Sequence, residues 1–396
     1  MKNAKSGAGI AGGAIAALAF AAALAAPAAA QEKLKIGVIL TLSGPAANLG
    51  EQARDAINLA VKNLGGKVGG VDTEVVTVDD ELKPDVSVTK VKALLERDKV
   101  DFVIGPIFSN VLQAIHKPVT DSSAILISPN AGPSSYAGKM CSPNFFVTSY
   151  QNDQVHAILG KYAQDKGYKR VYLMTPNYQA GKDSMAGFKS QYKGEVVEES
   201  YVPLNTMDFS AELAKIAAAK PDAVFTFMPG GPGVNLVKQY RQAGLQNIPF
   251  LSAFTVDEST LPAQQDAAVG MYGGANWAPN FDNALSKKFV ADFEAATGKV
   301  PGTYAIQAYD AISLIDSAVK ATGGKVSDKK AIEAAMKKAD FKSLRGSFAF
   351  NNNNYPIQDL YLVQVAKRPD GKFQTEIREK IFTADKDPYA KDCAMK

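Results

Sequence analysis

Short, almost wholly apolar runs alternate along this chain with longer segments in which apolar residues recur every three or four positions. The runs LKIGVIL at 34–40 and DFVI at 101–104 are typical of strands buried on both faces. Between them, Ala53, Ile57 and Ala60 fall on one face of a predicted amphipathic helix. This alternation predicts parallel sheets covered by helices on both faces.

The same pattern assigns an element to most of the chain after residue 33. Predicted strands cover 34–40, 74–79, 101–104, 124–128, 144–149, 170–175, 195–202, 222–228, 249–251, 268–275, 348–353 and 360–365. Predicted helices cover about 53–64, 85–97, 109–121, 152–166, 179–192, 209–219, 233–243, 286–297, 305–322 and 328–339.

The strand–helix alternation restarts after about residue 150, which predicts two α/β lobes. The helices 286–297 and 305–322 have no strand run of their own, so we expect them to complete the first lobe. The predicted first lobe is 31–150 with 279–353, and the predicted second lobe is 151–278 with 354–396. The fold class is therefore α/β, with two Rossmann-like lobes joined by a three-strand hinge that can close on a ligand.

Residues 1–30 have the pattern of a secretory signal peptide. Lys2 and Lys5 precede an apolar run, and Ala28-Ala29-Ala30 supplies a cleavage site of the A-x-A type. The mature protein is then expected in the periplasm, and an uncleaved N-terminal anchor is the alternative. The pattern GxGxxG at 7–12 follows no strand and lies inside this leader, so it does not indicate a dinucleotide site.

Two cysteines, Cys141 and Cys393, are the full complement of the chain. An exported chain meets an oxidising compartment, where an even number of cysteines favours a disulfide. We therefore predict a Cys141–Cys393 disulfide that fixes the C-terminal tail, with two free thiols as the alternative.

Little in the sequence indicates catalysis. His116 and His156 lie on separate predicted helices without a nucleophile nearby, so both are interpreted as structural, and two cysteines with two histidines make no metal-ligand cluster. Nucleophile-elbow and metalloprotease motifs are absent from the sequence. The net charge of +4, or about +2 without residues 1–30, comes with no basic block, which argues against nucleic acid. We expect neither an enzyme nor a cofactor or metal.

Two strand-to-helix loops are the candidate binding elements. A helix is predicted to open near Ser109-Asn110, where free backbone N–H groups and a partial positive charge can hold an anion. The strand 124–128 is followed by a second loop that ends at Gly132. Because ligands of parallel sheets lie beyond the carboxyl ends of the strands, we place a small anion between these loops. Two ordinary strand-to-helix turns are the alternative.

Seven stretches, in order along the chain, carry a resemblance to a known family. They are IGVILTLSGPAANLGEQARDAINLAV (36–61), VDFVIGPIFSNV (100–111), AILISPNAG (124–132), FFVTSYQNDQ (145–154), MAGFKSQY (185–192), ANWAPNFDN (275–283) and YAIQAYDAISLI (304–315). The sequence resembles the periplasmic substrate-binding proteins of ABC transporters, specifically the leucine/isoleucine/valine-binding family with the type I fold. Nearly the whole mature chain takes part in the resemblance.

The resemblance implies a set of ligand-binding residues. Ser109 would offer its hydroxyl and backbone N–H to a ligand carboxylate, and the second loop would add backbone groups. Tyr178 would supply an aromatic wall from the second lobe. The full predicted set is Leu49, Ile107, Phe108, Ser109, Asn130, Ala131, Gly132, Tyr178, Pro229, Gly230 and Phe254.

The chain departs from the amino-acid binders of the family where they hold an ammonium group with an acidic side chain. Phe254 matches that position, although a shift of three residues would bring Asp257 or Glu258 there. A buried ammonium without a carboxylate is costly. Gly132 replaces a hydroxyl-bearing threonine and is expected to leave room. These departures favour an aromatic acid in a box of Phe108, Tyr178, Phe254 and Trp277.

The sequence thus predicts a monomeric periplasmic receptor that captures a small carboxylate, a benzoate or phenylpropenoate, for an ABC permease in the inner membrane. Branched-chain or other hydrophobic amino acids are the alternative ligands. A ligand-sensing module for a signalling partner and an exported α/β enzyme are the alternative classes.

Overall fold

A computed structural model of the chain describes Gly7 and residues 33–395. The predicted signal peptide and, apart from Gly7, the glycine pattern within it lie outside the described residues. Two sheets with covering helices make up residues 33–395, in agreement with the predicted α/β class. None of the described helices is both long enough and apolar enough to cross a lipid bilayer.

The strands and helices follow one another much as the pattern predicts. The strands are β1 (Leu34–Leu40), β2 (Lys67–Val68), β3 (Val71–Asp79), β4 (Phe102–Ile104), β5 (Ile125–Ser128), β6 (Phe145–Val147), β7 (Arg170–Pro176), β8 (Glu195–Val202), β9 (Ala223–Thr226), β10 (Phe250–Ser252), β11 (Tyr272–Ala275), β12 (Ala349–Phe350), β13 (Pro356–Lys367) and β14 (Phe373–Asp385). The helices are α1 (Ala47–Asn63), α2 (Pro84–Glu96), α3 (Ser109–Thr120), α4 (Ser134–Ala137), α5 (Asn152–Asp165), α6 (Gln179–Gln191), α7 (Ser210–Ala219), α8 (Gly231–Gln242), α9 (Leu261–Gln264), α10 (Ala284–Thr297), α11 (Thr303–Ala321) and α12 (Lys329–Lys337).

The first sheet has the strand order β2–β3–β1–β4–β5–β6, and its neighbours from β3 to β6 are parallel. β1 lies near the centre, and its side chains contribute to apolar clusters on both faces. Because β1, β4 and β5 are parallel, the loops after Leu40, Ile104 and Ser128 leave the same edge of the sheet. That edge carries both predicted binding loops.

The second sheet runs β8–β7–β9–β10–β11 in parallel and continues with β13, which is antiparallel to β11. β14 pairs with β13 at the edge of this sheet. The sequence analysis did not predict β14, because its sequence FQTEIREKIFTAD is mostly polar and lacks the alternation of a half-buried strand. Such polarity suits an edge strand, where charged side chains discourage pairing with other chains.

The chain passes between the two lobes three times. It leaves the first sheet after β6, returns after β11 to place α10 and α11 against α1, and enters the second sheet again at β13. The three crossing segments lie side by side, since Asn276 of the second and Gln358 of the third both donate to the carbonyl of Ser149 in the first. This is the arrangement of the type I fold.

The predicted disulfide is present. Cys141, in the segment between α4 and β6, is bonded to Cys393 near the C-terminus. The bond joins parts of the chain 252 positions apart and holds the C-terminal segment against the first lobe.

Candidate ligand-binding site

A narrow cavity of about 20 Å³ lies where the carboxyl ends of the two sheets face each other. Eight of the predicted site residues line it: Ile107, Phe108, Ser109, Asn130, Ala131, Tyr178, Pro229 and Phe254. Six further lining residues were not among the predicted site residues: Tyr150, Asn152, His156, Ala180, Phe227 and Tyr304. His156, interpreted from the sequence as structural, thus forms part of the cavity wall. The cavity draws its walls from both lobes and is almost closed from solvent.

Ser109 is the first residue of α3, and only 1% of its surface is exposed. The N-cap position is Phe108, and no side chain caps α3. Leu112 is the first residue whose N–H bonds back to a carbonyl, that of Phe108 at 3.0 Å. The N–H groups of the first turn are therefore available to an anion, with the positive end of the helix dipole behind them.

Asn130 braces the two loops of the first lobe. Its Nδ2 donates to the carbonyl of Ile107 at 2.7 Å, and its Oδ1 accepts from the hydroxyl of Tyr150 at 2.8 Å. Its backbone carbonyl accepts from Ser149 Oγ at 2.9 Å. These bonds position the loop around Ser109 and use one of the two N–H groups of the Asn130 amide, so the second N–H remains for a ligand.

Asn152, at the start of α5, connects the first lobe to the second. Its Nδ2 lies 3.2 Å from Ser109 Oγ and 2.9 Å from Asp183 Oδ2, while its Oδ1 accepts from the N–H of Gly132. The Asp183 carboxylate also accepts from Ser134 and Gln179. Asp183 therefore stands behind the cavity wall and is satisfied by neutral donors, while Asn152 fixes the position of the Ser109 hydroxyl.

Aromatic rings form most of the remaining wall. Tyr150 stacks on Phe254 with ring centroids 5.1 Å apart, and Tyr178 stacks on Phe227 at 6.2 Å. Tyr304, from the first turn of α11, packs against Phe254 at 5.7 Å. Phe254 has a φ of +61°, an uncommon conformation for a bulky residue, and strain of this kind is typical of ligand-binding positions.

The titratable groups in the wall are neutral at physiological pH. Burial raises the pKa of the Tyr150, Tyr178 and Tyr304 hydroxyls. Burial also lowers the pKa of His156 to about 3, because the charged imidazole would lose its water without gaining a partner. His116, by contrast, stacks on Tyr136 at 4.0 Å and does not line the cavity, in line with its interpretation as structural.

The two acidic residues near Phe254 do not line the cavity. Asp257 accepts from Thr303 Oγ1 and Ser259 N–H, both at 2.9 Å. Glu258 accepts from the N–H and the hydroxyl of Thr375 at 2.6 Å. Asp257 lines a separate cavity of about 10 Å³ in which Phe254 is also part of the wall. Phe254 therefore stands between the acid and the larger cavity.

Three predicted site residues and Trp277 lie outside the cavity lining. Leu49 is fully buried in α1, and Trp277 packs against Phe289 and donates to Ser286. The room expected beside Gly132 is absent, since a Cβ there would lie 2.0 Å from the Tyr150 carbonyl oxygen. A Cβ on Gly230 would lie 3.0 Å from the backbone of Ala46, so Gly230 allows the lobes to approach each other.

Comparisons with known proteins agree with this architecture. Residues 33–372 match the family described as periplasmic binding protein. A relative from Brucella melitensis biotype 1, described as Leu/Ile/Val-binding protein homolog 6, is 32% identical over 362 residues, which cover 88% of this chain and 92% of that protein.

Two solved structures are also similar along nearly the whole chain. The ABC transporter solute-binding protein from R. palustris in complex with benzoate is 34% identical, with a TM-score of 0.87 and coverage of 92% of this chain and 100% of that one. The solute-binding protein from Rhodopseudomonas palustris BisB5 in complex with 3,4-dihydroxybenzoic acid is 33% identical, with a TM-score of 0.85 and coverage of 90% and 99%.

The family match covers most of the chain, and the similarity to solute-binding proteins of ABC transporters runs through both lobes. The similar solved structures are solute-binding proteins that hold a small molecule. The chain therefore belongs to the periplasmic binding protein family and is a substrate-binding protein of the ABC transporter type.

Proposed function

We propose that this protein captures a small aromatic carboxylate in the cleft between its lobes and delivers it to an ABC permease in the inner membrane. One observation carries the proposal: the cavity offers free donors at one end and aromatic rings elsewhere, and none of the described residues that line it is acidic. Export of the chain by cleavage of the leader at about residue 30 is part of the same proposal.

The carboxylate would lie at the first turn of α3. The Ser109 hydroxyl and the uncapped N–H groups of this turn would donate to it, and hydrogen bonds to an ionised carboxylate are the strong, charge-assisted kind. Among the described residues, the nearby acid Asp183 accepts from Asn152 and does not line the cavity, so it does not compete for these donors.

The remainder of the ligand would be flat and apolar. The stacked pairs Tyr150–Phe254 and Tyr178–Phe227 present ring faces and edges rather than polar groups. Ring faces and edges make offset or edge-to-face contacts with another ring, and the cavity of about 20 Å³ would have to widen to admit one. The benzoate and 3,4-dihydroxybenzoate complexes of the two similar proteins support this ligand class.

Branched-chain amino acids are the second candidate, and the name of the Brucella relative favours them. Their ammonium group would enter a cavity whose wall contains neutral His156 and tyrosine hydroxyls. A buried ammonium without a carboxylate partner costs several kcal/mol, so this candidate is the weaker one.

A ligand panel tests the proposal directly. Purified mature protein is heated with leucine, valine, benzoate, 4-hydroxybenzoate or coumarate, and the unfolding midpoint is followed. A ligand at 100 times its Kd stabilises the folded state by about 2.7 kcal/mol. An increase in the midpoint with the aromatic acids and none with the amino acids is expected, whereas an increase with leucine alone contradicts the proposal.

Ser109→Ala tests the position of the carboxylate. Loss of a hydrogen bond to a charged group costs about 1.5–3 kcal/mol, which corresponds to a roughly 10- to 150-fold weaker affinity in calorimetry. Ser87→Ala is the matched control, because Ser87 is also a buried serine on a helix of the first lobe but lies away from the cavity. Equal affinities of the Ser109→Ala variant and the wild type would place the carboxylate elsewhere.

A further inference from the structure

The loop between β10 and α9, residues 253–260, contacts the first lobe at two places outside the cavity. Thr303 Oγ1, at the first residue of α11, donates to Asp257 Oδ2 at 2.9 Å. Asn48 Nδ2, in the first turn of α1, donates to the carbonyl of Ser259 at 2.7 Å. Because β10 belongs to the second sheet, whereas α1 and α11 pack against each other in the first lobe, both hydrogen bonds cross between the lobes.

Internal hydrogen bonds give the β10–α9 loop a defined shape. The N–H of Asp257 donates to Thr260 Oγ1 at 3.1 Å, and the N–H of Thr260 donates to the carbonyl of Asp257 at 2.8 Å. The N–H of Ser259 donates to Asp257 Oδ1 at 2.9 Å, and Thr255 and Thr260 are fully buried. The Asp257 carboxylate is therefore fixed relative to Phe254, whose ring lines the cavity.

The Asp257 carboxylate meets the N-terminus of α11. Gly302 is the N-cap residue, and no side chain of the N-cap position caps this helix. A Cβ on Gly302 would lie 3.0 Å from both carboxylate oxygens of Asp257, so the carboxylate lies directly at the end of the helix. A negative charge at the positive end of a helix dipole is stabilised. Tyr304, the residue after Thr303, lines the cavity, so this contact also positions part of the cavity wall.

The contacts between the lobes thus lie next to the cavity wall without being part of it. Phe254 and Tyr304 line the cavity with ring centroids 5.7 Å apart, while Asp257 and Thr303 bond to each other outside it. These bonds require the lobes to approach each other, and the same approach encloses whatever the cleft holds. Bonds made only in the closed arrangement favour that arrangement, and they raise the apparent affinity without touching the ligand.

We propose that the β10–α9 loop is a latch between the lobes, in which Asp257 and the carbonyl of Ser259 are positioning groups that hold α11 and α1 over the bound ligand. The latch sets how long a ligand stays in the cleft, not which ligand enters. The acid Asp257 of this loop thus serves closure and does not bind an ammonium group. The inference goes beyond the proposed function, since it applies to any ligand that the cleft encloses.

Asn48→Ala tests the latch from the first lobe without altering the cavity. The Asn48 side chain is half-buried and does not line the cavity. Because its bond to Ser259 forms after the ligand has entered, we expect benzoate to dissociate about threefold or more faster in stopped-flow fluorescence, with an association rate within about twofold of the wild type. Asn63→Ala is the matched control with wild-type rates, since Asn63 also lies on α1 but donates to Tyr309 within the first lobe.

A double-mutant cycle tests the contact between Asp257 and Thr303. Asp257→Ala and Thr303→Val should each weaken the affinity for the ligand about tenfold or more in calorimetry, because each removes a hydrogen bond to a charged group. The double variant should bind about as weakly as the weaker single variant, since both changes remove the same bond. Asp257→Asn keeps an oxygen acceptor and should recover part of the loss. Losses that multiply in the double variant would overturn the assignment.

Benzoate and leucine both serve as probes, and each ratio of variant to wild type is measured with the one that binds. If leucine binds and benzoate does not, the proposed function is contradicted and the latch is decided with leucine. Wild-type dissociation from Asn48→Ala together with wild-type affinity of Thr303→Val would overturn the latch. A loss of affinity that lies wholly in the association rate would overturn it as well, because these residues would then act on ligand entry.

Discussion

Replacement of Arg345 by methionine would show how strongly one buried charge holds the three crossing segments together. The guanidinium donates to the carbonyls of Thr148 and Ser149 at 2.6 and 3.1 Å, and to Gln358 Oε1 at 2.7 Å. It also forms an ion pair with Asp310 at 3.1 Å, in which the side chains are 1% and 0% exposed. Arg345 therefore links the first and third crossing segments to α11.

The expected loss in the free energy of unfolding follows from the buried Asp310 carboxylate that loses its partner. Methionine fills much of the space but leaves Asp310 with only Ser343 Oγ and the N–H of Leu344 as donors. Removal of one partner of a buried ion pair costs about 3–5 kcal/mol, because the other charge remains without compensation. With an unfolding entropy of about 2.1 cal/mol/K per residue over roughly 360 residues, this corresponds to a decrease of about 5 °C in the unfolding midpoint.

Scanning calorimetry of the mature protein measures this decrease. Lys320→Met is the control, because Lys320 pairs with Asp316 at the surface with 57% of its side chain exposed, and such pairs contribute less than about 1 kcal/mol. The double variant Arg345→Met/Asp310→Leu should recover part of the loss, since no unpaired charge remains. A midpoint within 1 °C of the wild type for Arg345→Met, or a double variant less stable than the single one, would refute the reasoning.

Three further predictions concern other parts of the molecule. Burial raises the pKa of Glu258 from 4.5 to about 8, so the folded state favours the protonated carboxyl. The contribution of this group to the free energy of unfolding is complete below about pH 4.5 and is lost as pH rises through about 8. Glu258→Gln should therefore reduce the fall in unfolding midpoint between pH 6 and pH 9. Substitution of Cys141 and Cys393 by serine should lower the free energy of unfolding by about 2–5 kcal/mol in denaturant titrations, with no further effect of a reductant. Gly132→Ala should weaken ligand binding, because its Cβ would collide with the Tyr150 carbonyl, whereas Gly138→Ala, whose Cβ would have no neighbour closer than 3.6 Å, should not.

The buried parallel strands could be predicted because their residues are apolar on both faces. β1 and β8 have the bounds that the pattern predicts, and most helices begin or end within three residues of the predicted positions. β14 was not predicted, because a largely exposed edge strand needs no apolar face. β2 was not predicted, because its two residues are too few to show an alternating pattern. The spacing of apolar residues reveals which face of an element is buried, so elements with little buried apolar surface cannot be recognised from it.

The candidate site was predictable only in part. Ser109 and Asn130 follow the ends of the buried strands β4 and β5 within five residues, where ligands of parallel sheets bind. Phe227 could have been found by the same rule, because it directly follows β9. Tyr304 reaches the cavity from the start of α11, and His156 from an inner face of α5. Nothing in their local sequence distinguishes them from core residues, since only the packing of one lobe against the other brings them together.

The loop after β10 shows why the residue types alone leave the ligand class open. This loop contains Phe254, Asp257 and Glu258 within five positions. From the sequence alone, either an aromatic or an acidic side chain could stand where an amino-acid binder holds the ammonium group. The backbone conformation distinguishes these possibilities. Phe254 has a left-handed conformation and its ring lines the cleft. Asp257 accepts from Thr303 of α11, and Glu258 accepts from Thr375 of β14. An ammonium inside the cavity would meet the Phe254 ring rather than a carboxylate, so the preference for aromatic acids that we propose would follow from the path of this loop and not from its composition.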